Sequence, residues 1–207
     1  MSLYYRKYKN YQNYLSHQAE KLNIGLRENV KKFRQSSFDE EVCSFTKRLS
    51  VAKKYILNDK ILCLGARLGA EVEALRKMGF KNAIGIDINP GPNNPYVIKG
   101  DFHKMEFDDE SFDVIYSNAI DHSYKISLFS KEIDRVLTFN GNLILEVCHL
   151  KRKKERKKVF ITAPGKYESV IYDTTKDIKK EMKEFKCIDS FISPYDVFYF
   201  LIFKKIK

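Results

Sequence analysis

Two glycines, Gly65 and Gly69 in "ILCLGARLGAE", flank the turn between an apolar run and a helix-forming one. Missing side chains there let backbone amides approach a ligand, and a helix N-terminus favours negative charge. Asp87 ends "AIGID" 22 residues after Gly65, close to the ~20-residue offset at which a carboxylate accepts hydrogen bonds from a ribose diol. Asp101 in "IKGDFH" has Phe102 beside it, an acid and an aromatic suited to the amino group and ring face of an adenine. Further on, "SNAIDHSYK" carries Asp121 and His122, and a histidine titrating near neutral pH suits deprotonation of an alcohol, phenol or amine. Each residue has a plainer reading beside this one: Asp87 as a turn former, Asp101 as a loop cap, Asp121 as the cap of a helix that His122 begins.

Those side chains converge only if strands and helices bring them to one edge. Ile61 to Leu64, Ala83 to Ile88, Tyr96 to Ile98, Asp113 to Ser117 and Leu143 to Val147 read as short strands, with Ala70 to Met78 and Leu128 to Leu137 as helices between them. Such alternation implies a parallel sheet covered on both faces, with ligands at the carboxyl ends of its strands. The crossovers after Asp87 and Asp101 are too short for full helices. Lys176 to Phe185 reads as a helix, and Cys187 to Ile192 and Val197 to Phe203 as an antiparallel pair joined by Ser193 to Asp196. At the other end, Tyr4, Tyr8, Tyr11, Leu15 and Leu22 recur at helical spacing, a packing face or a base-stacking platform. Ser37 with Glu40 has the form of a capping box, which predicts that a second helix starts there and runs through Ile56. The "VFITAP" and "SVIYD" stretches are β-like.

With 43% apolar and 31% charged residues, the chain belongs to the globular class and not the disordered one. No apolar run approaches the ~20 residues of a spanning helix, and "MSLYYRKYKN" lacks a signal peptide's apolar centre, so no membrane is expected and the expected location is the cytoplasm. Cys43, Cys63, Cys148 and Cys187 are scattered without a CxxC pair, which argues against a metal site or a disulfide framework. The net charge of +11 divides unevenly: residues 1–60 carry +7, residues 61–150 carry −4, and residues 151–207 carry +8, with "KRKKERKK" beginning the last segment. Basic flanks of this kind either steer toward a polyanion such as RNA or form a lysine-rich solvated surface.

The ordered set "ILCLGARLGAEVEALRKMGFKNAIGIDINPG", "VIKGDFHKMEFDDESFDVIYSN" and "EIDRVLTFNGNLILEV" resembles the class I S-adenosylmethionine-dependent methyltransferases, particularly the small type 11 group, over roughly residues 58 to 150. The resemblance implies a Rossmann-like, doubly wound α/β fold: a mostly parallel seven-stranded sheet with an antiparallel C-terminal strand, here with N-terminal helices. One domain is expected, with an N-terminal helical extension (1–58), a cofactor-binding core (59–150) and a basic insertion with C-terminal strands (151–207). It also implies S-adenosylmethionine as cofactor: Gly65, Ala66, Arg67 and Gly69 at its methionine end, Asp87 and Ile88 at the ribose, Asp101 and Phe102 at the adenine, and Asn118 near the methionine part. A dinucleotide cofactor would want glycines where Arg67 and Ala70 stand.

One departure is chemical. Cys63 stands where relatives carry an acid that helps hold the methionine ammonium, and Glu71 and Asp121 are the candidates to replace it. Arg67 either binds the methionine carboxylate or points to solvent. Methyl transfer is an in-line displacement, so the protein orients the nucleophile and, where needed, removes its proton. His122 with Asp121 is the candidate for that step, and His149 closes the neighbouring strand. The acceptor is expected to be a small molecule. An RNA acceptor using the basic flanks, or a protein that binds the cofactor without turnover, are the alternatives.

Overall fold

The computed structural model describes residues 3–25, 30–56, 58, 60–90, 95–148, 167–172, 174–195 and 198–206. His149, the lysine-rich run 151–158 and the "VFITAP" stretch lie outside them. The chain opens with strand β1 (Leu3–Tyr5), then helices α1 (Tyr11–Gly25) and α2 (Val30–Ala52). The centre follows as β2 (Ile61–Leu64), α3 (Ala70–Lys77), β3 (Ile84–Asp87), β4 (Val97–Lys99), β5 (Phe112–Ser117), α4 (Ile126–Val136) and β6 (Leu137–Cys148). It closes with β7 (Val170–Tyr172), α5 (Thr175–Glu181), β8 (Phe185–Ile192) and β9 (Phe198–Lys205).

Seven strands form one sheet in the order β4-β3-β2-β5-β6-β9-β8. The first five are parallel, and the hairpin β8–β9 adds antiparallel to β6. The chain leaves β2 toward β3 and β4 on one side and later toward β5 and β6 on the other. Ligands bind at such a reversal, above the carboxyl ends of the strands. Every residue of β2 is buried, as a strand covered on both faces must be. Leu62 and Leu64 pack with Phe129 and Ile133 of α4, while Ile61 and Cys63 pack with Leu49 of α2 and Leu75 of α3. Helix α4 earns its place by spacing, since Ile126, Phe129, Ile133 and Val136 put one apolar stripe on the sheet. As expected, no described residue between β3 and β4, or between β4 and β5, is α-helical.

The α2 face of the sheet also holds a buried ion pair. Arg48 Nη1 lies 2.5 Å from Glu146 Oε1, both side chains being almost wholly buried. Tyr116 donates its hydroxyl to the other carboxylate oxygen. The Arg48 guanidinium is sandwiched at 4.1 Å over the Phe45 ring and 4.7 Å over Phe198. A buried charge is tolerable only with such pairing.

The N-terminal reading needs correcting. Tyr4 lies in a strand, because β1 pairs antiparallel with β7 in a separate two-stranded sheet, and that pairing overrides the local helical spacing. Helix α1 starts only after Asn10, whose Oδ1 accepts the backbone N–H of Asn13 at 2.9 Å as an N-cap does. The Ser37 capping signal does not start a helix either: α2 begins at Val30, and the Gly- and Pro-free sequence before Ser37 continues it.

Candidate functional site

The turn after β2 is bent by two glycines. Gly65 has φ +73° and Gly69 φ +81°, and a Cβ on Gly65 would come within 2.6 Å of the Ala119 Cβ. Arg67 shares this left-handed backbone at φ 47°. The amides of both glycines and of Ala66 are engaged inside the protein: Gly65 N–H and Ala66 N–H both donate to the Ile86 carbonyl, at 2.9 and 3.0 Å, and Gly69 N–H donates to the Ala66 carbonyl. Arg67 N–H donates to Asp87 Oδ2 at 3.0 Å and Asn89 N–H to Asp87 Oδ1 at 2.8 Å. The glycines therefore make room for a ligand and do not themselves grip it. Asp87, held from two sides, keeps spare lone pairs, since a carboxylate offers about four acceptor positions.

Above this turn lies a cavity of about 530 Å³ including its mouth, lined by Gly65, Arg67, Asp87, Ile88, Asn89, Phe102, Ala119 and His122 from the sheet side. Its remaining wall is Tyr14 and Gln18 of α1. These two residues stand on the same helix face as Tyr11.

Helix α1 is fastened there by an aromatic and acidic network. Tyr11 donates its hydroxyl to Asp101 Oδ2, and Asp101 Oδ1 accepts from both the backbone N–H (2.9 Å) and Nδ1 (3.0 Å) of His103. His103 Nε2 accepts the backbone N–H of Tyr124 at 3.0 Å. An atom that accepts carries no proton, so the buried His103 is the neutral Nδ1–H tautomer. Burial pushes the Asp101 carboxyl up, but the hydrogen bonds from His103 and Tyr11 outweigh it and hold it below its ordinary value. The Tyr14 ring packs against Tyr8, Tyr11, His103 and Tyr124 at centroid distances of 5.3 to 5.5 Å.

His122 ends a short 3-10 turn, Ile120–His122. Its Nδ1 lies 3.0 Å from the Tyr167 carbonyl, which can only accept. Nδ1 therefore carries a proton, and in the neutral ring the lone pair lies on Nε2, the form a general base needs. Asp121 Oδ1 is 3.9 Å from that Nε2.

Of the residues predicted from sequence, Gly65, Arg67, Asp87, Ile88, Phe102 and His122 meet at the cavity. Ala66, Gly69, Asp101, Asn118 and Asp121 are not among its described lining. Ala66 and Gly69 shape the turn, and the Asp101 carboxylate is turned to Tyr11 and His103. Arg67 is exposed at the mouth. Glu71, a candidate for the role vacant at Cys63, is 4% exposed and not among the cavity's described lining, and burial pushes its carboxyl up to about 8, which favours the neutral acid. Burial likewise pushes the Cys63 thiol up. Tyr14, Gln18, Asn89 and His103 were not anticipated. The spacing Tyr8, Tyr11, Tyr14 is a signal that could have found Tyr14, but the stripe expected above ran through Leu15 instead.

Residues 62–145 match the family described as a methyltransferase domain. No curated protein sequence matches the chain. Among solved structures, a protein of Pyrococcus horikoshii OT3 superposes with a TM-score of 0.62 at 21% identity, over 78% of this chain and 90% of that one. The 1,6-didemethyltoxoflavin-N1-methyltransferase of Burkholderia thailandensis, solved with 1,6-didemethyltoxoflavin and S-adenosylhomocysteine, gives 0.69 at 10% identity, over 98% and 93%. The geranyl diphosphate C-methyltransferase of Streptomyces coelicolor A3(2) gives 0.55 at 8%, over 76% and 74%. Likeness at such identities is likeness of fold.

Proposed function

We propose that this chain is a class I S-adenosylmethionine-dependent methyltransferase whose acceptor is a small molecule from which His122 removes a proton. The residues present suit the cofactor. The cavity is lined from the carboxyl ends of β2, β3 and β4 and the loops that follow them, by Gly65, Asp87 and Phe102. Only glycine at residue 65 keeps its floor open, because a side chain there would run into Ala119. Phe102, 7% exposed and lining the cavity, offers a ring to an adenine, and Asp87 offers its remaining lone pairs to a ribose. Bound there, S-adenosylmethionine supplies a methyl group on a sulfonium sulfur.

What the chain itself contributes is position and proton transfer. The observation that carries the reading is His122: it lines the cavity, and the Tyr167 carbonyl fixes its tautomer so that Nε2 is the basic atom. A positioned base of this kind contributes about 10²- to 10⁴-fold. The two ligand-bound methyltransferases of similar fold hold small acceptors or their analogues, which supports the same class here.

The test is incubation of the protein with methyl-labelled cofactor and cell extract, with and without nuclease. Label is expected in a low-mass product whatever the nuclease treatment. Label in a nuclease-sensitive polymer would reject the small-molecule reading in favour of RNA.

A further inference from the structure

The acid that relatives use for the methionine ammonium is missing at Cys63, and neither Glu71 nor Asp121 is among the cavity's described lining. Helix α1 carries a group that can. Gln18 is 8% exposed and lines the cavity. Its Nε2 donates to the Tyr167 carbonyl at 2.9 Å and to Ser169 Oγ at 3.1 Å. Reversing the amide would set two carbonyl oxygens against each other, so its orientation is fixed. Oε1, a pure acceptor, is then the group the amide offers to the cavity.

Its place along the cavity follows from a shared anchor. The Tyr167 carbonyl that accepts from Gln18 Nε2 also accepts from His122 Nδ1. Gln18 thus stands at the His122 end, while Tyr11, on the same face of α1, marks the other end at Asp101. A ligand laid with its ring at Phe102 and its ribose at Asp87 brings its amino-acid end toward Gln18.

Resting on the cofactor reading above, we infer that Gln18 recognises the cofactor's ammonium: Oε1 accepts one of its N–H donors, in place of the carboxylate absent at residue 63. Recognition comes from the N-terminal helix and not from the sheet, so the cavity is complete only when α1 is docked.

The test is isothermal calorimetry on the full chain with two probes, S-adenosylhomocysteine and its deaminated analogue, which keeps the carboxylate and lacks the ammonium. Wild type is expected to prefer the intact probe at least about tenfold, the range of one hydrogen bond to a charged group. Gln18→Met is expected to abolish that preference by weakening the intact probe alone. Gln18→Lys keeps a donor for the Tyr167 carbonyl while replacing the acceptor with a cation, and is expected to reverse the preference toward the deaminated probe. Variants that retain the preference, or lose both probes equally, overturn the inference. A wild type that binds neither probe overturns the cofactor reading itself, a distinct result.

Discussion

Tyr11 and Asp101, 90 residues apart, are joined by a hydrogen bond from the phenolic hydroxyl to the carboxylate. That bond fastens α1 across the edge of the sheet where the cavity opens. The same carboxylate receives two donors from His103, so one acidic side chain gathers the N-terminal helix and the loop after β4.

Asp101 should therefore set part of the acid stability limit. Its carboxyl is held below the ordinary value in the folded protein. The stabilisation is fully present above the ordinary carboxylate range and is lost as pH falls through the lowered folded value. Asp101→Asn is expected to lower stability by about 2 kcal/mol at pH 7. Thermal melts from pH 7 down to pH 3 check this, and the difference from wild type should shrink at the acid end.

Glu71 predicts the opposite sign. Burial raises its carboxyl from 4.5 to about 8, so between those values the folded protein holds a proton that the unfolded chain has released. Stability falls as pH rises through that window, by up to about 1.4 kcal/mol per unit. Glu71→Gln is expected to flatten the profile and to be more stable than wild type at pH 8. Unchanged melting temperatures across pH 5 to 9 would contradict the assignment.

Gly65→Ala should damage fold and site together. The φ of +73° and the 2.6 Å approach to the Ala119 Cβ leave a methyl group no space, and left-handed backbone alone costs roughly 1–2 kcal/mol. Calorimetry with S-adenosylhomocysteine should give at least a tenfold weaker Kd, with a lowered melting temperature.

His122→Gln retains a donor for the Tyr167 carbonyl and removes the base. It is expected to lower kcat by about 10² or more while leaving S-adenosylhomocysteine affinity within a few-fold of wild type. Single-turnover rates with the identified acceptor provide the measurement. Full turnover would sink the base role.

The central sheet was legible because its signals are local. Apolar runs of four to six residues ending in Gly65, Asp87 and Ser117 predict both the strands and the ends at which a ligand gathers. The wall made by α1 was not, because nothing near Tyr14 or Gln18 in sequence encodes the distance to Phe102 or Tyr167. Tyr4 misled for the same reason: its strand depends on a partner at Ile171, far along the chain. Glu71 could be named from sequence, but its raised carboxyl comes from burial in the first turn of α3, which only the packed structure supplies.

The pairing of β1 with β7 also fixes an order of assembly. Leu3 to Tyr5 are synthesised early, yet their partners are Val170 to Tyr172, and the strands β2 to β6 leave the ribosome in between. Tyr167 and Ser169, the anchors of Gln18, arrive just before that partner strand. The nascent chain thus emits its parallel strands while Leu3 to Tyr5 still wait, and the wall that α1 contributes can close only after Tyr167 and Ser169 have emerged, before the final hairpin.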